Sequence, residues 1–322
     1  MRILVTGMAG FIGFHCARRL HELGHTVMGI DNLNPYYNPA LKQARLDILQ
    51  KLPNPPAFEQ LDLKDKPDLD KVFKSFQPDA VLHLAAQAGV RYSLTHPQTY
   101  IDSNIQGTQN ILEACRNFGK PRLVFASSSS VYGLNKKTPF SESDMTDSPI
   151  ALYGATKKAN ELMAHAYAHL FGIQAIGLRF FTVYGPWGRP DMALWLFTQA
   201  IEKGEPINVF NYGDMYRDFT YVDDIVQGAT ACLWTEGLGQ FEVFNLGNHK
   251  SEHLGDLISC IEQELGKKAE RRLLPMQDGD VQSTFADIEK AKNLLGFQPT
   301  TEIVEGVPQF IRWFKDHPEF HS

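Results

Sequence analysis

No stretch of this 322-residue chain comes near the roughly 20 consecutive apolar residues that cross a bilayer. The N-terminus has no signal-peptide layout, since Arg2 leads straight into an apolar strand. A cytoplasmic location is the simplest expectation. Cysteine is scarce: Cys16, Cys115, Cys232 and Cys260 lie far apart and form no C-x-x-C pair. That excludes a disulfide framework and predicts isolated, reduced thiols. Positive charge is short as well, with 31 Lys and Arg against 37 Asp and Glu and a formal net charge of −6. A general phosphate-binding surface is therefore excluded, and nucleic acid is not an expected partner. There is no low-complexity tract and no repeat at solenoid spacing. What remains is an ordinary globular composition, 43% hydrophobic and 21% charged. The length suffices for a core that needs no metal or disulfide staple.

Strand and helix patterns alternate through the first half. Ile3–Val5 is a short apolar run, Phe11–Leu23 a helical pattern ended by Gly24, and Thr26–Ile30 a second strand. This is one βαβ unit. Residues 32–56, rich in Asn, Pro and Tyr, read as an insertion around a helix at 40–52. Strands then fall at 58–61, 80–84, 123–127 and 174–179, and helices at 66–76, 100–118 and 153–171. Such alternation predicts an α/β fold, a doubly wound parallel sheet of Rossmann type. Past residue 180 the pattern loosens, with helices at 193–203, 222–235, 254–265, 287–295 and 302–316. The expected division is a dinucleotide-binding domain over 1–180 and a smaller, mostly helical substrate lobe over 181–322. Strand candidates at 207–210 and 241–246 would extend the sheet or form a small one.

The glycines Gly7, Gly10 and Gly13 stand between the first strand and first helix. Gly7 permits a tight turn, Gly10 lets backbone approach a pyrophosphate on the positive end of the helix, and Gly13 lets helix and strand pack closely. Asp31 ends the second strand, where a carboxylate accepts from both ribose hydroxyls and repels a 2′-phosphate. NAD is thus expected over NADP. Asp62 and Leu63 follow the third strand as a lip for adenine. The small residues Ala85, Ala86, Gln87, Ala88 and Gly89 follow the fourth, where a loop can approach the central phosphates.

Tyr153 and Lys157 stand four apart at the start of a helix and share one face. A phenol titrates near pH ~10 in water, so a neighbouring ammonium and the nicotinamide charge are needed to favour phenolate. Tyr153 then serves as base toward a sugar hydroxyl. Ser127, Ser128, Ser129 and Ser130 follow the fifth strand at the edge where parallel sheets bind ligands.

These motifs, Thr6–Gly13, His83–Gly89, Ser127–Gly133, Tyr153–Lys157 and Arg217–Ile225, resemble the extended short-chain dehydrogenases/reductases over essentially the whole chain. Longer runs, Asp31–Tyr37, Ala86–Ser93 and Arg179–Met192, resemble the UDP-glucuronate 4-epimerases within that family. The resemblance implies catalysis by Ser128, Tyr153 and Lys157. It implies an NAD site that includes Phe11, Ile12, Asn32, Asn104 and Phe180 besides the residues above. It implies that Thr182 lies beside the sugar, that Arg189 and Arg217 serve the nucleotide end, and that Asp280 reaches the uridine ribose. Gln277 stands where related UDP-galactose epimerases often carry an Arg. A UDP-sugar substrate, no bound metal and a homodimer built on paired long helices are implied too.

The implied reaction converts UDP-glucuronate to UDP-galacturonate through a 4-keto sugar. Because such a sugar is a β-keto acid, its carboxylate must be held against decarboxylation, with Arg91, Ser129, Ser130 and Thr182 as candidates. Alternatives are a UDP-glucose 4-epimerase, a UDP-glucuronate decarboxylase and, in another class, a non-catalytic NAD-binding sensor. The pairs His165/His169 and His249/His253 have the spacing of metal ligands but no third partner, and read as packing or solvated histidines.

Overall fold

The computed structural model describes residues 1–321. The chain opens with β1 (Arg2–Thr6), α1 (Phe11–Glu22), β2 (Thr26–Asp31), α2 (Pro39–Gln50), β3 (Ala57–Gln60), α3 (Lys66–Phe76) and β4 (Ala80–His83). Two short turns, α4 (Tyr92–Thr95) and α5 (Pro97–Tyr100), precede α6 (Gly107–Asn117), β5 (Arg122–Ser128), α7 (Leu152–Phe171) and β6 (Ala175–Phe180). The second half holds β7 (Thr182–Tyr184), α8 (Ala193–Lys203), β8 (Ile207–Val209), β9 (Tyr216–Arg217), β10 (Phe219–Tyr221) and α9 (Val222–Ala231). It closes with β11 (Phe241–Leu246), β12 (Glu252–His253), α10 (Leu254–Leu265), β13 (Arg271–Leu273), α11 (Glu289–Leu295) and α12 (Ile303–Asp316).

Seven strands form one parallel sheet in the order β11-β6-β5-β4-β1-β2-β3. From β1 the chain runs outward through β2 and β3, then crosses back to β4 on the other side. The crevice of such a sheet lies at that reversal, beyond the carboxyl ends of β1 and β4. Central strands read as continuous apolar runs because helices cover both faces: Ile3, Leu4, Val5, Val81 and Leu82 have no exposure. Among the described residues, no helix is long and apolar enough to cross a membrane.

One expectation needs correction. The stretch 100–118 is not one helix: a π-turn at Ile101–Gln106 separates α5 from α6. Its wider winding presents buried Asn104, which grips the β4 loop through Gln87 N (2.8 Å) and Gln87 O (3.1 Å). Such insertions recur at functional sites. In the second half both strand candidates form, and further short strands join them. That half supplies β11 to the main sheet and forms three two-stranded sheets, β10-β7, β12-β9 and β13-β8. Strands of two or three residues are too short to show a period of two.

Candidate functional site

The glycine turn works by absence of side chains. Gly7 has φ +74°, and a Cβ there would lie 2.8 Å from Ala85 N. A Cβ on Gly13 would lie 2.0 Å from Gly7 O, so helix α1 rests against the turn only because nothing intervenes. Beyond this cradle opens an inner cavity. Every residue expected at the cofactor lines it except Asn104, from Gly7, Gly10, Phe11, Ile12 and Gly13 through Asp31, Asn32, Asp62 and Leu63 to Ala85, Ala86, Gln87, Tyr153, Lys157 and Phe180. Asn104 sits behind the wall and holds Gln87. Asp31 accepts from Ala9 N (3.2 Å) and Leu33 N (2.9 Å), which fixes its carboxylate at the end of β2 with lone pairs to spare. Asn32 donates to Asp62 at 3.0 Å and ties the two lips together. A cradle that a Cβ would fill, beside a fixed acid at the second strand, fits NAD.

Ser128 lines the same cavity as Tyr153 and Lys157. Lys157 is buried and donates to Ala126 O at 2.9 Å; loss of solvent lowers its pKa to about 8. Burial also pushes the Tyr153 phenol up, while the Ser128 hydroxyl and then the Arg189 charge pull it down. Sequence reasoning assigned that electrostatic pull to the ammonium of Lys157. Arg189, which arrives from far along the chain, brings a second cation to Tyr153.

An outer cleft adjoins the cavity. It is lined by Arg91, Thr182, Arg189, Arg217 and Asp280, and Tyr36, Val183, Arg189 and Met192 belong to both walls. Its arginines are already bonded. Arg91 meets Asp280 at 3.0 Å, with its guanidinium 5.1 Å from the Phe210 ring. Arg189 donates from Nε to Asp191 at 2.9 Å, and the Tyr36 hydroxyl donates to the same carboxylate at 2.9 Å. Arg217 donates to the carbonyls of Tyr216 (2.8 Å) and Gln282 (3.0 Å), and burial lowers its pKa. Ser129 and Ser130 line neither cavity; they lie in the 3-10 turn Ser129–Tyr132. Arg91 lines the outer cleft and not the cavity of Ser128 and Tyr153. Thr182, like Arg91, lines the outer cleft and not that cavity.

Within the insertion after β2 only Asn32 was given a site role from sequence, yet Asn34, Tyr36, Tyr37 and Lys42 also line the inner cavity. Lys42 is 5% exposed and donates to both Asn34 O and Asn34 Oδ1 at 2.9 Å. Arg45, with no exposure, donates to Ala9 O (2.8 Å), Tyr37 Oη (2.7 Å), Trp187 O (2.7 Å) and Gly188 O (3.2 Å). The available signal was positional: Lys42 and Arg45 fall on the helical face of Leu41, Leu46 and Leu49, where a cation has no reason to be unless it meets oxygen. Of the histidine pairs, His253 caps α10 by accepting from Gly255 N at 3.1 Å, and His249 bonds Ala286 O at 2.9 Å.

A doubly wound sheet, a glycine cradle, and a serine, tyrosine and lysine at its mouth define a dinucleotide-dependent enzyme acting on a hydroxyl. Known proteins narrow this class. UDP-glucuronate 4-epimerase 4 of Arabidopsis thaliana is 48% identical over 97% of this chain and 75% of its own length. The crystal structure of UDP-glucuronic acid 4-epimerase from Bacillus cereus, in complex with UDP-glucuronic acid and NAD, superposes with a TM-score of 0.92 at 36% identity, covering 98% of this chain and 99% of that one. UDP-glucose 4-epimerase of Thermotoga maritima with UDP-glucose gives 0.89 at 31% identity, over 99% and 100% of the two chains. The chain belongs to the NAD dependent epimerase/dehydratase family, whose model matches residues 3–247. It is an NAD-dependent sugar-nucleotide epimerase.

Proposed function

We propose that the enzyme interconverts UDP-glucuronate and UDP-galacturonate. The observation that carries this reading is the outer cleft: two half-buried arginines and Asp280 for a nucleotide diphosphate, beside the cavity of Ser128 and Tyr153. Full-length similarity to relatives named for this reaction supports it.

When bound, NAD supplies the redox capacity and keeps the sugar's carbon 4 hydrogen between the two halves of the turnover. The chain does the rest. Ser128 and Tyr153 bracket the hydroxyl at carbon 4, and Tyr153 takes its proton and holds it on Oη. Lys157, buried and bearing no carboxylate partner, holds the ribose edge of the cofactor and adds positive charge. Arg217, Arg189 and Asp280 anchor UDP while the 4-keto sugar turns over on looser contacts. Thr182 holds the carboxylate out of the geometry that releases carbon dioxide. Tyr153 then returns the proton to the inverted alcohol.

The test is to incubate the purified protein with UDP-glucuronate, without added NAD, and follow the sugar by NMR. UDP-galacturonate as sole product is expected. A pentose product would make it a decarboxylase, and turnover confined to UDP-glucose would make it a hexose epimerase.

Two copies are proposed to pair through α6 and α7. Leu162 and Leu170 stand 60% and 67% exposed on α7, a poor state for two leucines in a lone protomer. Sedimentation of a Leu162→Glu, Leu170→Glu variant should show a monomer; a dimer would place the contact elsewhere. The reaction is assigned to the cytoplasm, where four free cysteines stay reduced.

A further inference from the structure

On α7 the residues Tyr153, Lys157 and Glu161 recur every four positions and share a face. The first two line the inner cavity. Glu161 lies one turn deeper and is 3% exposed. Its Oε1 accepts from Ser127 Oγ at 2.6 Å and Arg179 Nε at 2.8 Å, and its Oε2 accepts from Arg179 Nη2 at 2.8 Å. Arg179 also donates to Tyr132 Oη at 3.0 Å, which donates to Asn245 Oδ1 at 2.7 Å.

The register gives this network a direction. Ser127, Arg179 and Asn245 are neighbours across β5, β6 and β11, one transverse row of the sheet. The next row holds Ser128 and Phe180, both on the cavity wall. Ser127 lines that wall as well, so the row that fixes the sheet to α7 runs directly beside the row of Ser128 and Phe180. Ser127 is covalently next to Ser128, and Glu161 is on the same rigid helix as Tyr153.

We propose that Glu161, through Ser127, is a positioning residue that sets the spacing between the Ser128 and Tyr153 hydroxyls. Arg179 completes the device by engaging both oxygens of Glu161. Glu161 is thereby kept from Lys157, its neighbour one turn up, whose ammonium stays free for the cofactor. The inference rests on the catalytic reading of Ser128, Tyr153 and Lys157.

Ser127→Ala removes one bond of the strut and leaves the buried ion pair whole. Its kcat should fall roughly ten- to hundredfold, the cost of a misplaced reacting group, with KM for UDP-glucuronate unchanged. Ser127→Thr should restore most of the rate. Hydrogen exchange of segment 127–132 in the NAD-loaded protein should rise in Ser127→Ala and return in Ser127→Thr. A Glu161→Leu, Arg179→Met double variant, which removes both charges together, should fold and show the same kcat loss. Unchanged kcat in Ser127→Ala overturns the proposal, as does a loss that Thr does not rescue. A wild type inactive on every UDP-sugar refutes the proposed function instead, and unchanged exchange in Ser127→Ala would then overturn the strut by itself.

Discussion

The inner cavity and the outer cleft are built by opposite means. The cavity rests on a backbone cradle: glycines, alanines and strand ends shape its floor, and its buried cation, Lys157, has no carboxylate partner among the described residues. The cleft is mostly long side chains from distant segments, and its charges are satisfied against each other as Arg91–Asp280 and Arg189–Asp191. A cavity on a backbone cradle is preformed for one constant ligand. A cleft of self-paired charges must exchange partners when a polyanion enters, which suits a substrate that binds, turns and leaves.

The sharpest way to break this contrast is at the point where both regions act. Tyr153→Phe should reduce kcat by on the order of a thousandfold, with NAD binding intact by fluorescence titration. Retained turnover would remove the base from the mechanism.

Next comes pH. Lys157 is held near pKa 8 from an ordinary 10.5 by burial alone. In the NAD-free protein its charge is lost as pH rises through about 8, so NAD affinity should fall above that point. Stability moves the other way. Between about 8 and 10.5 the unfolded chain still holds the proton that the folded chain has given up. This group therefore makes the folded state more stable as pH rises across that window. Calorimetry and NAD titration across pH 7–10 would separate the two trends; an NAD affinity flat to pH 10 would contradict the assignment.

Lys42 tests whether the insertion belongs to the cavity. Lys42→Met should weaken NAD roughly tenfold, the loss of one buried charged hydrogen bond, and leave KM for the sugar nucleotide alone. An effect confined to KM would move Lys42 into the cleft. The smallest effect is expected at Arg91, half exposed at the cleft mouth. Arg91→Gln should shift stability by less than about 1 kcal/mol and raise KM a few-fold, with the difference fading in high salt. A shift that salt does not touch would mean that Arg91 is no surface cation.

The same contrast explains what the sequence disclosed. The doubly wound sheet and the cradle, acid and catalytic positions of the cavity follow from short-range patterns: a glycine spacing, a strand-end acid, a Tyr and Lys one turn apart. The cleft does not, because its geometry comes from residues 36, 91, 189, 217 and 280 meeting through tertiary packing. Resemblance named those arginines but could not give their partners. Ser129 and Ser130 line neither cavity for a related reason. A run of four serines looks uniform in sequence, yet strand alternation and the onset of a 3-10 turn separate their fates. The π-turn at Ile101–Gln106 left no periodic trace, since one extra residue per turn shifts an apolar stripe by less than the stripe's own width. Lys42 and Arg45 were hidden by their company on an apolar helix face.

Arg45 also says something about the order in which the molecule is made. Two of its four acceptors, the carbonyls of Trp187 and Gly188, belong to residues synthesised long after the nucleotide loop. During translation the segment from β1 to α2 emerges first, with a guanidinium against the nucleotide loop that cannot yet be fully bonded. The cofactor cavity is thus finished from the far half of the chain, and a fragment ending at residue 180 would emerge with its most buried cation still reaching for oxygen.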